Sequence, residues 1–247
     1  MSEPIIIVKD ASVRFNLAKQ QQNSLSSYLK RLLRHELLFQ EFFALKDINL
    51  TINAGESWGF VGRNGSGKST MLKLITGILA PYTGSVEVHG SIAPLLELGA
   101  GFDSELTGRE NIYMNGLILG MSKKEITEKF DEIVAFAELE EFLDVPIKNY
   151  SSGMKARLGF AIATCSTPDI LIADEVLSTG DRAFRTKCEQ RMQDMLSTGS
   201  TTLLYVSHQP NSVRKLCTHA MWLDGGHVKM IGTSEEVCDA YEESTKV

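Results

Sequence analysis

Apolar and polar positions change their rhythm several times along the chain. "PIIIVKDASVRF" at the start is rich in Ile and Val and predicts a strand. "NLAKQQQNS" has no period. In "SLSSYLKRLLRHELLFQEFF" the residues Leu25, Tyr28, Leu29, Leu32 and Leu33 recur at helical spacing, with Lys30, Arg31, Arg34 and His35 between them. That predicts a basic amphipathic helix inserted over residues 24–43. "ALKDINLTINAGESWGFVG" returns to strand patterns with an Ala-Gly turn, and "STMLKLITGIL" reads as a helix. "PYTGSVEVHGSIAPLLELG" reads as turns and short strands. From about Thr107 to Thr164 the period is helical. The last third alternates: "DILIAD", "RAFRTKCEQRMQDML", "TTLLYVS", "NSVRKLC", "HAMWLDGGHVKMIG", "SEEVCDAYEES". Such alternation implies a mostly parallel sheet with crossover helices. The fold expected is α/β, one unit over residues 1–247, with an antiparallel β portion and an inserted α-helical subdomain at roughly 98–165.

Composition narrows the classes. At 247 residues and 43% hydrophobic, the chain is long enough to bury a sizeable core. A net charge of −6 argues against a general nucleic-acid binder. "MSEPIIIVKD" lacks a basic start and a long apolar stretch, and no run reaches the roughly 20 apolar residues that span a bilayer, so a soluble cytosolic chain is expected. Four scattered cysteines without a CxxC pair suggest reduced thiols.

Chemistry enters at "GRNGSGKS", Gly62 to Ser69, which fits G-x-x-x-x-G-K-[ST] between a predicted strand and a predicted helix. Glycines let backbone N–H groups turn toward phosphate oxygens, and the helix N-terminus adds its positive end. The candidate ligands are Gly62, Asn64, Gly65, Ser66, Gly67, Lys68, Ser69 and Thr70. Lys68 would reach the β- and γ-phosphates, and Ser69 would place its hydroxyl on Mg²⁺. "DILIADE" is an apolar strand ending in two acids. Asp174 would hold Mg²⁺, and Glu175 would orient the attacking water. Alone, such a pair caps a strand end; downstream of a phosphate loop it reads as catalytic. "LLYVSH" brings His208 to the same sheet edge. A histidine there is more often structural, but beside these acids it reads as a γ-phosphate sensor.

The ordered set of P-loop, helical stretch, "YSSGM", strand-Asp-Glu and strand-His resembles the ATP-binding-cassette ATPases over nearly the whole chain. In that family a signature usually spelled LSGGQ opens a helix; here Ser151 and Gly153 match, while Tyr150, Ser152 and Met154 depart. The resemblance implies a P-loop NTPase core, ATP and Mg²⁺, and a head-to-tail homodimer. Each site would pair one chain's P-loop, Asp174, Glu175 and His208 with the other chain's Ser151 and Gly153. "STGD", Ser178 to Asp181, resembles the loop that crosses the dimer axis, with Asp181 as its acid. Phe15 is the candidate for stacking on adenine; a core role for it is the alternative. The family's usual glutamine after the P-loop helix is missing between Ser91 and Thr107, and Glu97 is the nearest polar candidate for its metal contact.

"LELGAGF…ELTGRENI", "YSSGM" and "LSTGDRAFRTKC" are similar to the ATPases of bacterial polysaccharide exporters, which move O-antigen, capsule or teichoic acid. That implies a polytopic transmembrane permease as partner, a lipid-linked polysaccharide as cargo through it, and a peripheral place on the cytoplasmic face of the bacterial cytoplasmic membrane. The helical insert suits that branch; either it is a surface helix packing its Leu face on the core, or Lys30, Arg31 and Arg34 face lipid headgroups. Some members carry a C-terminal β-sandwich; this sequence ends at "EEVCDAYEESTKV", which leaves open export without that step or a longer chain. The alternatives are an ATPase of another exporter (drug, lipid) or a soluble mechanical cassette ATPase.

Overall fold

A computed structural model describes residues 3–18, 39–95, 99, 101–174 and 182–245. Two long strands, β1 (Pro4–Ala18) and β2 (Phe39–Asn53), pair antiparallel. With β4 (Thr83–Val88) they form a sheet of order β2-β1-β4. The helix expected over 24–43 is overturned at its end: residues 39–43 are strand, with Gln40 opposite Leu17 and Phe42 opposite Phe15. The ladder gives their backbone groups partners that a helix would have supplied internally. Residues 24–38 lie outside the described residues.

The second sheet takes β3 (Ser57–Val61), β5 (Ile92–Pro94), β6 (Ile170–Asp174), β7 (Thr202–Val206), β8 (His219–Asp224) and β9 (His227–Thr233) in the order β5-β6-β7-β3-β8-β9. All neighbours are parallel except the β8–β9 hairpin. The inner strands are near-continuous apolar runs because both faces are covered. Ile170, Ile172, Leu204 and Val206 face one core, with Phe60 and α1 (Lys68–Ile75), against the antiparallel sheet. Leu171, Ala173, Leu203 and Tyr205 face the other, the period-2 alternation of strands. That second core is closed by α4 (Ser152–Cys165), α5 (Arg182–Ser197), α6 (Pro210–Leu216) and α7 (Ser234–Thr245).

Between β5 and β6 lie α2 (Gly108–Ile118) and α3 (Lys123–Ala137), which share a third core with α4 built on Ile112, Ile126, Ile133, Leu158 and Ile162. Both helices start on the S/T-x-x-E pattern. Thr107 with Glu110 and Ser122 with Glu125 each form a complete capping box, so two otherwise orphaned N–H groups are satisfied at each start. α4 belongs to two cores at once: Phe160 and Ala163 pack on the sheet, while Leu158 and Cys165 pack in the helical lobe. All four cysteines are buried and unbridged. Burial pushes the thiols of Cys165 and Cys238 up to about 11 and that of Cys188 up to about 12. Among the described residues no helix is long and apolar enough to cross a membrane.

The approach to α2 is held by one buried amide. Asn111, fully buried, accepts from Asp103 N at 2.9 Å and donates to the carbonyls of Asp103, Leu106 and Thr107 at 3.0, 3.2 and 2.9 Å. Asn111→Ala leaves those backbone groups without that partner, a loss of about 2–3 kcal/mol. The thermal midpoint should fall by roughly 5–10 °C. Calorimetry checks this, and an unchanged midpoint would mean the segment 103–107 is held by other contacts.

Candidate nucleotide site

The sheet's carboxyl edge gathers the predicted residues because β6, β7 and β3 are neighbours and parallel. Asp174 ends β6, His208 follows the end of β7, and the loop from Gly62 follows β3. Ligands bind at such an edge in open α/β sheets. A cleft of about 390 Å³ lies there, lined by Phe15, Phe42, Ala44, Asn64, Gly65, Gly67, Lys68, Ser69, Thr70, Asp174, Val206 and His208.

The loop itself is tightly wedged. Gly62 has φ 148°, and a Cβ on it would meet Leu223 O at 2.2 Å; Gly67 has φ 110°, and its Cβ would meet Ala44 O at 2.7 Å. Neither position tolerates a side chain, for backbone conformation and for space. Ser66 O accepts from Gly226 N at 3.0 Å, and Gly226 O accepts from Lys46 N at 2.9 Å, which ties the loop to the β8–β9 turn and to β2. Lys68 is buried and donates through Nζ to the carbonyls of Gly62 at 2.6 Å and Arg63 at 3.0 Å. Those bonds hold a cation beside the loop's interior. α1 starts without a side-chain cap, since Gly67 is its N-cap, so its first N–H groups need partners from elsewhere. The buried Ser66 Oγ has no hydrogen-bond partner among the described residues. Orphaned donors, a lysine and a helix N-terminus together fit a bound polyphosphate.

The cleft's apolar wall is the β1–β2 arm. Phe15 and Phe42 face each other across the ladder and are 37% and 48% exposed, so neither ring is committed to the core. The sequence places Phe42 in the helical insert because its segment shows helical spacing; its pairing with Phe15 on β1, far off in sequence, makes it strand.

Ser151 and Gly153 do not line this cleft. Ser151 is the N-cap of α4 and its Oγ accepts from Met154 N at 3.1 Å. Gly153 has open space beside it: the nearest heavy atom to an added Cβ would be Ser151 Oγ, at an ordinary 3.7 Å. Tyr150 turns away from any ligand. Its hydroxyl donates to Phe142 O at 2.6 Å, and its ring leaves no room for a Cβ on Gly108. Glu97, Glu175 and Asp181 lie outside the described residues.

The pattern of the ABC transporter family matches residues 45–178. The chain is 46% identical over 244 residues to the O-antigen export system ATP-binding protein RfbB of Myxococcus xanthus, covering 97% of this chain and 56% of that protein. It is 43% identical to the Klebsiella pneumoniae protein of the same name, covering 83% of each. It is 42% identical to the teichoic acids export ATP-binding protein TagH of Lactococcus lactis, covering 91% of this chain and 47% of that one. In fold it is similar to an ATP-binding subunit of an ABC transporter, with TM-score 0.75 at 23% identity over 96% of this chain and 93% of the other. It is also similar to a dimeric ATP-binding cassette in a post-hydrolysis state bound to ADP and Pi, with TM-score 0.73 at 22% identity over 93% and 98%.

Stacking on an aromatic ring contributes about 0.5–1.5 kcal/mol beyond its area. Phe42→Ala should therefore weaken adenine-nucleotide binding by roughly three- to tenfold. Fluorescence titration with a labelled ATP analogue reads this, and equal loss in Phe15→Ala would show both rings in use. Unchanged affinity in both variants would assign the arm no part in base binding.

Proposed function

Since the chain belongs to the ABC transporter family, we propose that it is the ATP-hydrolysing subunit that powers export of a lipid-linked polysaccharide through a separate polytopic permease. The observation that carries the ATPase reading is the divided site. P-loop, Asp174 and His208 share one cleft, while Ser151 and Gly153 open a different helix with clear space before them. Two copies arranged head to tail complete two sites. The polysaccharide cargo is supported by the likeness to O-antigen and teichoic acid export proteins. With that permease, the chain is a peripheral subunit on the cytoplasmic face of the bacterial cytoplasmic membrane, and nucleic acid is no partner.

Each residue has a part. Lys68 and the loop amides hold the β- and γ-phosphates. His208 hydrogen-bonds the γ-phosphate. Glu175 orients the attacking water. Phosphoryl transfer is chiefly positioning and charge neutralisation, so these few groups suffice. Ser151 Oγ and Gly153 N–H of the second copy close over the γ-phosphate, aided by the positive end of α4. Asp181 passes between the two sites. Ser69 and Asp174 offer a hydroxyl and a carboxylate oxygen, donors that suit Mg²⁺. When bound, Mg²⁺ neutralises charge on the β- and γ-oxygens. Glu97 is the candidate for a further carboxylate contact to that ion, in place of the family's usual glutamine.

Glu175→Gln should bind ATP, hydrolyse it at least roughly 100-fold more slowly, and accumulate as an ATP-dependent dimer on size exclusion. A wild-type rate would remove Glu175 from the mechanism. Gly153→Asp is sterically free within one chain and favours the first turn of α4 by charge, so its thermal midpoint should equal or exceed wild type. It should still lose ATP-dependent dimerisation, because the carboxylate meets the γ-phosphate; a retained dimer would exclude the proposed role of Gly153. Reconstitution with the permease tests the cargo: lipid-linked glycans should stimulate ATP hydrolysis, and association with ribosomes or DNA instead would overturn the exporter reading.

A further inference from the structure

α3 ends on a residue in a backbone conformation that favours glycine. Glu138, its C-cap, has φ 58° and ψ 49°. A left-handed residue that carries a Cβ is strained, and glycine is the usual solution. The carboxylate shows what a glycine would lose. Glu138 Oε2 accepts from Arg157 Nη1 at 2.6 Å, and Oε1 accepts from Lys187 Nζ at 3.0 Å. Arg157 stands on α4, whose N-terminus presents Ser151 and Gly153. Lys187 stands on α5, which follows residues 175–181. Both cations are fixed further. Arg157 lies over the Phe184 ring at 4.8 Å, and Lys187 lies over the Phe136 ring at 4.8 Å while donating to Phe136 O at 2.9 Å. The rings of Phe136, Phe160 and Phe184 pack on one another at 5.6–6.3 Å. One turn along, Arg191 of α5 donates to Glu132 of α3.

Stability alone does not account for this choice. The Glu138 side chain is 53% exposed, and ion pairs of that exposure contribute little. Such strain is typically kept where a function depends on the geometry. We propose that Glu138 is a positioning residue of the ATPase cycle: one carboxylate shared between Arg157 and Lys187 makes α4 and α5 turn as one body. The Ser151–Gly153 helix start offered to the second copy then moves together with α5. This rests on the ATPase reading above. Closure of that helix start over the partner's nucleotide is thereby coupled to α5 within each chain.

Two variants separate the carboxylate from the fold. Glu138→Gln keeps the shape and the strain. Glu138→Gly removes both the carboxylate and the strain, so its thermal midpoint should equal or exceed that of Glu138→Gln. Both should bind ATP as monomers with wild-type affinity and keep KM within about twofold, while kcat and ATP-dependent dimerisation fall by roughly five- to twentyfold. Either variant with wild-type kcat and dimerisation overturns the proposal, and so does lost nucleotide affinity in the monomer. Hydrogen exchange supplies a readout that needs no turnover. Protection in the first turns of α4 and α5 should drop together in both variants, and a change confined to the end of α3 overturns the coupling. Absence of hydrolysis in the wild-type chain would instead count against the ATPase reading, and the exchange result would still decide the role of Glu138.

Discussion

The carboxyl edge of the large sheet depends on one close approach, the backbone of β2 against the phosphate loop. Ala44 O would lie 2.7 Å from a Cβ on Gly67 and 2.8 Å from one on Gly226. Three backbone segments therefore meet where neither Gly67 nor Gly226 has room for a side chain: the aromatic arm, the loop, and the β8–β9 turn. Interiors packed to this density do not deform by small amounts. Fixing the loop against β2 also fixes the distance from the phosphate amides to Phe15 and Phe42. The same contact that shapes the loop thus sets the span of the cleft between the loop amides and the aromatic pair.

A second constraint runs through the helical lobe. Ile147 N donates to Leu106 O and Lys148 N to Ser104 O, both at 2.9 Å, while Arg109 N donates to Leu143 O at 2.9 Å. The segment entering α2 and the segment entering α4 are thereby sewn together just before Ser151. Tyr150 finishes the seam by donating to Phe142 O and packing over Gly108. Its place in "YSSGM" is explained by lobe packing. Gly153, by contrast, has open space beside it and no packing reason among the described residues to be glycine, while Ser151 caps α4.

The parts of this arrangement legible in the sequence are those whose physics is local. The phosphate loop requires glycines at fixed spacing. The capping boxes at Thr107 and Ser122 are short-range patterns, and the strand ending in Asp174 is an apolar run that stops at an acid. What escaped reading depends on partners far along the chain. Phe42 sits in a stretch whose leucines recur at helical spacing, and only its pairing with Phe15 makes it strand. Asn111 looks like one polar residue among several in "GREN", yet its amide is fully buried and holds three carbonyls. Glu138 looks like an exposed helix-end acid, and neither its left-handed backbone nor its two cations can be inferred from neighbours in sequence.

α4 is where these constraints meet. Its N-terminal residues Ser151 and Gly153 do not line the cleft, yet its body is held from two sides. Phe160 and Ala163 anchor it to the sheet, and Leu158 and Ile162 anchor it to the lobe. A helix shared between two cores cannot rotate within one without disturbing the other. Arg157, at the boundary, is the residue whose contacts reach both Glu138 and Phe184. Each of those contacts is individually weak, on the order of 1 kcal/mol or less. Their effect in the proposed coupling is geometric: they would limit the freedom of α4 to turn independently of α5. The proposed site divided between two chains would need that rigidity more than it needs stability, because a helix start that wavers by an ångström would no longer meet a phosphate across the interface.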